Sequence, residues 1–154
     1  MLPPAPYTRS VVEEPVRGDL PDPAFYSLPG LEQWRAFQTG RAPRSPLHRL
    51  TGYRLTQADS GVVVLALSRS DWLQRADGTI DLSFLIELAS AGAATTVTGP
   101  GCVPEVMSIS IQHLRPATLQ SEKFSAKAHV LNVGPRFTAS QHALPTAIGA
   151  GCGW

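Results

Sequence analysis

Residues 81–101 read DLSFLIELASAGAATTVTGPG, and this stretch decides the architecture. Leu82, Leu85, Ile86, Ala89 and Ala93 recur at i, i+3, i+4, i+7 and i+11, which is one face of an α-helix. Phe84, Leu88, Ala91, Gly92 and Ala94 make the other faces apolar or small as well. A helix that is apolar nearly all round is a buried helix, and its small residues predict close contact with another element. Asp81 is the predicted N-cap, its carboxylate accepting from first-turn amides. Thr95, Thr96, Val97 and Thr98 weaken helix propensity, and Gly99-Pro100-Gly101 stops the helix.

The flanking segments carry the period of strands. Leu50 to Gln57 and Gly61 to Ser68 are predicted strands, joined through Ala58-Asp59-Ser60-Gly61. The β-branched run Val62-Val63-Val64-Leu65 suits a strand with at least one deeply buried face. After the helix, Val106 to Leu114 alternates Met107, Ile109 and Ile111 with Ser108, Ser110 and Gln112, and Pro116 ends it. Glu122 to Val133 and a strand starting at Arg136 and running to Gln141 follow, separated by Gly134-Pro135. A short helix precedes them all: Pro29 opens it, Leu31, Trp34 and Phe37 form a stripe, and Gly40 closes it. Arg41 to Pro46 is a basic loop, either solvated or in contact with phosphates, and Ser70 to Gly78 is a loop or short helix carrying Trp72. An antiparallel sheet wrapped around one long central helix buries every apolar face, which is an α+β architecture.

Composition narrows the function classes. The 154 residues fit one domain, and 43% hydrophobic against 16% charged residues excludes a wholly disordered chain or a coiled coil. A net charge of +1 supplies no broad attraction for nucleic acid or an anionic membrane. No apolar run approaches the roughly 18 residues of a membrane span, and no repeat period is visible. Nine of the fourteen prolines lie in the first 46 residues. Residues 1–27 are therefore expected to be a Pro-rich arm, either free or laid along a neighbouring subunit. Residues 28–141 form the expected domain, and 142–154 an atypical tail without alternation. Cys102 and Cys152 set no disulfide framework, and the opening residues MLPPAPYTRS lack the pattern of a signal peptide. A reduced, cytoplasmic protein is expected.

Three pieces carry a family resemblance: His48 to Leu55, Gly78 to Ser83 with the Leu85 to Ala94 helix, and Ser108 to Ala117 ending in Leu114-Arg115-Pro116-Ala117. In order and spacing, Leu47 to Gln141 resembles the hotdog fold, and within it the PaaI-like acyl-CoA thioesterases. The resemblance implies a homodimer whose sheets pair edge to edge, often doubled to a tetramer, with a pantetheine channel between subunits. It also implies hydrolysis of acyl-CoA without metal or cofactor. In that family a helix carboxylate activates water, and amides at the helix start hold the oxyanion.

The sequence departs from that pattern at both devices. Where the family has His-Gly-Gly, the chain reads Asp81-Leu82-Ser83, and the helix carboxylate falls on Ser90. A serine hydroxyl is no base at neutral pH, and no His partner is evident from the sequence. Ser83, Glu87, Ser90 and Ala94 form one helix stripe, and Glu87 is the only acidic or basic residue between Asp81 and Glu105. Apolar surroundings are expected to raise its pKa toward the range of a general base. The expected catalytic residues are thus Glu87, Ser90 and Ser83, with the amides of Leu82 and Ser83 as oxyanion donors. Glu87 pointing to solvent or pairing with a partner subunit is the structural alternative. Asp81, Trp72, Arg115 and Arg136 are candidate substrate contacts, the arginines for CoA phosphates. Surface roles for the arginines and core packing for Trp72 and Tyr53 stay open. A hotdog protein that binds acyl-CoA or a lipid-like ligand without turnover is the second reading. A dehydratase, needing a catalytic His, has only His113 to offer; His48, His129 and His142 lack metal-ligand spacing.

Overall fold

The computed structural model describes residues 18–112, 115–118, 120 and 123–143. The elements run α1 (Gly30–Gln38), α2 (Pro46–Thr51), β1 (Arg54–Asp59), β2 (Val62–Ser68), α3 (Ser83–Thr95), β3 (Lys123–Val133) and β4 (Thr138–Ala143). The strands form one antiparallel sheet in the order β1-β2-β3-β4, with α3 packed on its inner face. This is the expected α+β hotdog arrangement of a sheet around a central helix.

The core is a helix–sheet interface. On β2, Val63, Leu65 and Leu67 turn inward, opposite Ala128, Ala126 and Phe124 of β3. Leu82, Leu85, Ala89 and Ala93 of the α3 region complete the same buried cluster. Small alanines on both helix and strand let α3 lie close to the sheet. Thr96 fastens its end: Oγ1 accepts from the Gly61 amide at 2.8 Å and donates to the Ala93 carbonyl at 2.7 Å. The β1–β2 turn is thereby tied to the C-terminus of α3.

The predicted close contact of α3 is made with α1. A Cβ on Gly92 would sit 2.5 Å from Trp34 Cζ2, and one on Gly30 would sit 1.8 Å from the Thr95 carbonyl oxygen. Both positions need glycine because the two helices cross there. Leu31, Trp34 and Phe37 are only half-buried, and Gly30, Gln33 and Ala36 are the buried residues of α1. Gln33 Nε2 donates to the Leu28 carbonyl at 2.8 Å, satisfying its burial. Residues 23–27, expected in the arm, form a 3-10 turn whose Phe25 packs edge-on against Phe37 at 5.3 Å. Residues 1–17 lie outside the described residues.

Two expected strands differ. The first begins at Arg54, not Leu50, because residues 46–51 form α2. Ser45 caps that helix by accepting from the His48 amide at 3.3 Å, Pro46 sits in its first turn, and Gly52 ends it at φ +68°. These local start and stop signals override the apolar Leu47 and Leu50. The expected strand Val106 to Leu114 is not formed within its described residues: 102–112 carry no strand, and Met107 is 79% exposed. Alternation specifies two faces, but a strand also needs a partner for its amides and carbonyls, and no described strand pairs with this segment. His113, Leu114 and Cys152 lie outside the described residues. The last strand is shifted by two residues, to Thr138–Ala143, which brings His142 into the sheet.

Candidate functional site

The N-terminus of α3 is positioned by a hydrogen-bonded loop. The Asp81 amide donates to the Leu73 carbonyl at 3.0 Å and the Ile80 amide to the Ala117 carbonyl at 2.8 Å. Thr79 bridges Thr118, so the segment bearing Arg115 is held against the helix start. Asp77 Oδ1 accepts from the Thr79 hydroxyl at 2.6 Å and from its amide at 2.9 Å; these bonds, the hydroxyl's first, hold its carboxyl below the usual range. Leu82 occupies the N-cap position and is buried. The carboxylate of Asp81, expected as the cap residue, stands one position earlier. It nevertheless accepts from the Ser83 amide at 2.9 Å and from the Ser83 hydroxyl. A carboxylate therefore already occupies one of the donors expected to hold an oxyanion.

The polar residues of α3 are Ser83, Glu87, Ser90 and Thr95, and the first three share one stripe. Ser83 and Glu87 are exposed in the protomer, whereas Ser90 is only 8% exposed. Ser90 Oγ lies 3.4 Å from His142 Nδ1 on β4. This histidine is the partner that the sequence did not reveal. Across the sheet, Ala58, Val63, Ala128 and His142 form one row, and its first three members are buried against the helix side. Residues opposite one another in an antiparallel pair share a face, so His142 ends an otherwise apolar row with an imidazole. Around it, Thr138, Ser140 and His142 alternate with Ala139, Gln141 and Ala143, a pattern without hydropathy contrast.

Other candidates fall at two ends of the helix. Trp72 is 78% exposed on a 3-10 turn next to Leu73, whose carbonyl accepts from Asp81, and Arg115 lies on the tethered segment. Both are therefore near the start of α3. Arg136 is exposed in the β3–β4 turn, at the end where Thr96 closes α3. Within one protomer the structure does not bring it to Asp81.

The opposite side of α3 is apolar. A cavity of about 190 Å³ is lined by Trp34, Phe37, Ser45, His48, Tyr53, Leu55 and Leu88. His48 stacks on Tyr53 at 4.6 Å. Burial, then the charges of Arg44 and Arg49, hold the His48 imidazole below its ordinary value. Burial raises the Tyr53 phenol, against a hydrogen bond with Ser45. Tyr53 thus lines the cavity and also packs against the core cluster. Among the described residues no helix is long and apolar enough to cross a membrane.

No family model and no curated protein matches the chain in sequence. Solved structures do match in shape. A phenylacetic acid degradation-related protein from Ralstonia eutropha JMP134 superposes with a TM-score of 0.66 at 16% identity, covering 75% of this chain and 90% of its own. A thioesterase family protein from Silicibacter pomeroyi gives 0.65 at 20% identity, covering 74% and 82%. The PaaI protein of the E. coli phenylacetic acid degradation operon gives 0.55 at 18% identity, covering 63% and 73%. The chain is a divergent example of the hotdog fold that these thioesterase-superfamily structures share.

Proposed function

We propose that the chain hydrolyses acyl-CoA thioesters to free acid and CoA, as a cytoplasmic homodimer or tetramer. The observation that carries this reading is the polar stripe Ser83, Glu87, Ser90 on an otherwise apolar helix of that fold. Such a stripe supplies the polar groups that an activated water beside a thioester carbonyl needs. In this reading Glu87, one turn before the position where the resemblance places a carboxylate, draws the proton from water, and Ser83 and Ser90 orient water or substrate. Amides of Leu82 and Ser83 face the developing oxyanion, supported by the partial positive charge of the helix start. Each such donor is typically worth about 3–4 kcal/mol to an acyl-transfer barrier. Trp72 and Arg115 flank that end as contacts for the acyl-pantetheine and the phosphates, and Arg136 serves phosphates from the far end of another subunit.

A second reading, ligand binding without turnover, is favoured by one specific contact. The Asp81 carboxylate occupies the Ser83 amide, so a substrate carbonyl must displace it or rely on Leu82 alone. The test is release of CoA thiol from short-chain, long-chain and aryl acyl-CoAs, with binding followed by calorimetry. Turnover of at least one class is the expected result. Binding of acyl-CoA with no thiol release selects the second reading, and neither binding nor release rejects both.

A further inference from the structure

We infer that the proton acceptor in this reaction is the imidazole of His142, with Ser90 as its positioning residue. The inference rests on the thioester-hydrolysis reading and deepens it. Three observations lead to it. Glu87 is exposed on the protomer surface, whereas Ser90, where the resemblance places the carboxylate, is buried. The group that meets Ser90 is His142, at 3.4 Å from Oγ to Nδ1. And His142 ends a sheet row whose other members are Ala58, Val63 and Ala128, all apolar, so nothing in the core packing calls for an imidazole there. The base has moved from the helix to the strand facing it.

The contact sets the chemistry. With Nδ1–H donating to Ser90 Oγ, the Nε2 lone pair is left to accept a proton. In that tautomer Ser90 Oγ is the acceptor; the reverse polarity, with the hydroxyl donating to Nδ1, is what the tautomer measurement tests. Nε2 takes a proton from water as the water oxygen bonds to the thioester carbon. The resulting oxyanion collapses, the C–S bond breaks, and the imidazolium returns its proton to the leaving thiolate. The products are acid and CoA thiol, with the imidazole neutral again.

The test combines kinetics with a tautomer measurement. His142→Ala is expected to lower kcat by about 100-fold or more, a larger loss than Glu87→Gln causes. Ser90→Ala loses about tenfold and Ser90→Thr, which keeps the hydroxyl, restores most of it. Circular dichroism confirms that each variant is folded. In 15N-resolved NMR of the wild type, His142 carries its proton on Nδ1, and Ser90→Ala shifts it to Nε2. Full activity in His142→Ala, or a wild-type His142 protonated on Nε2, overturns the inference and leaves thioester hydrolysis standing. Loss of activity in Glu87→Gln with none in His142→Ala returns the base role to the helix carboxylate. A wild type that turns over no acyl-CoA removes the parent reading, and this inference with it.

Discussion

β2 is a continuous apolar run and the segment 106–112 alternates apolar with polar residues; both patterns suit a strand, and the fold treats them oppositely. In β2, Val63, Leu65 and Leu67 are buried to 2% exposure or less, paired with β3 on one side and β1 on the other. In the segment, Met107 is 79% and Ile109 39% exposed, with no strand assigned. The difference lies in partners as well as in pattern. β2 has strands on both sides and α3 across its face. The later segment has neither among the described residues, so its alternation marks two faces with nothing to cover them. Alternation is necessary for a half-buried strand but silent about what it pairs with.

The largest test of this comparison is a pair of truncations. Leu65→Ala should cost about 2–5 kcal/mol by urea unfolding, because it opens a cavity between β2 and α3. Ile109→Ala should stay within about 0.5 kcal/mol, as for a surface site. A cost for Ile109→Ala near that of Leu65→Ala would show that the segment is covered in the assembled protein. The next effect concerns what anchors β2. Thr96→Val keeps the shape but leaves the Gly61 amide without its acceptor, so a loss of about 1–3 kcal/mol is expected. No change would mean that the turn before β2 is held by β-pairing alone. The smallest effect concerns the cavity beside α2. Because His48 is held below its ordinary value, the unfolded chain binds that proton first as pH falls below about 6.5. Stability should decline on acidification from there until the folded imidazole also protonates. His48→Gln should flatten that part of the profile, read from urea midpoints between about pH 5 and about pH 8.

Much of this molecule is legible without coordinates where one side chain pattern answers one question. The helix over residues 83–95 follows from its apolar residues and its Gly-Pro stop; its small residues predict a close contact with another element, which the structure makes at Gly92 with Trp34. β2 follows from its continuous β-branched apolar run, and β3 from alternation with strong hydropathy contrast. Residues 46–51 show the limit: Leu50 and Thr51 suit a strand, but Ser45, Pro46 and Gly52 are stronger local signals for a helix. The candidate site was legible only on its helix. Ser83, Glu87 and Ser90 share a stripe by spacing alone, whereas His142 lies 52 residues from Ser90 on a strand of small and polar residues.

By itself the chain determined a buried central helix, the strands β2 and β3, and the departure of Asp81-Leu82-Ser83 and Ser90 from the family pattern. Those are local properties, set by periods of 3.6 and 2 and by residue identity. Only the tertiary structure decided that Asp81 takes the Ser83 amide, that 106–112 lacks a partner among the described residues, and that His142 meets Ser90. Contacts of this kind depend on register and on helix rotation over the sheet. Chain spacing does not encode either one.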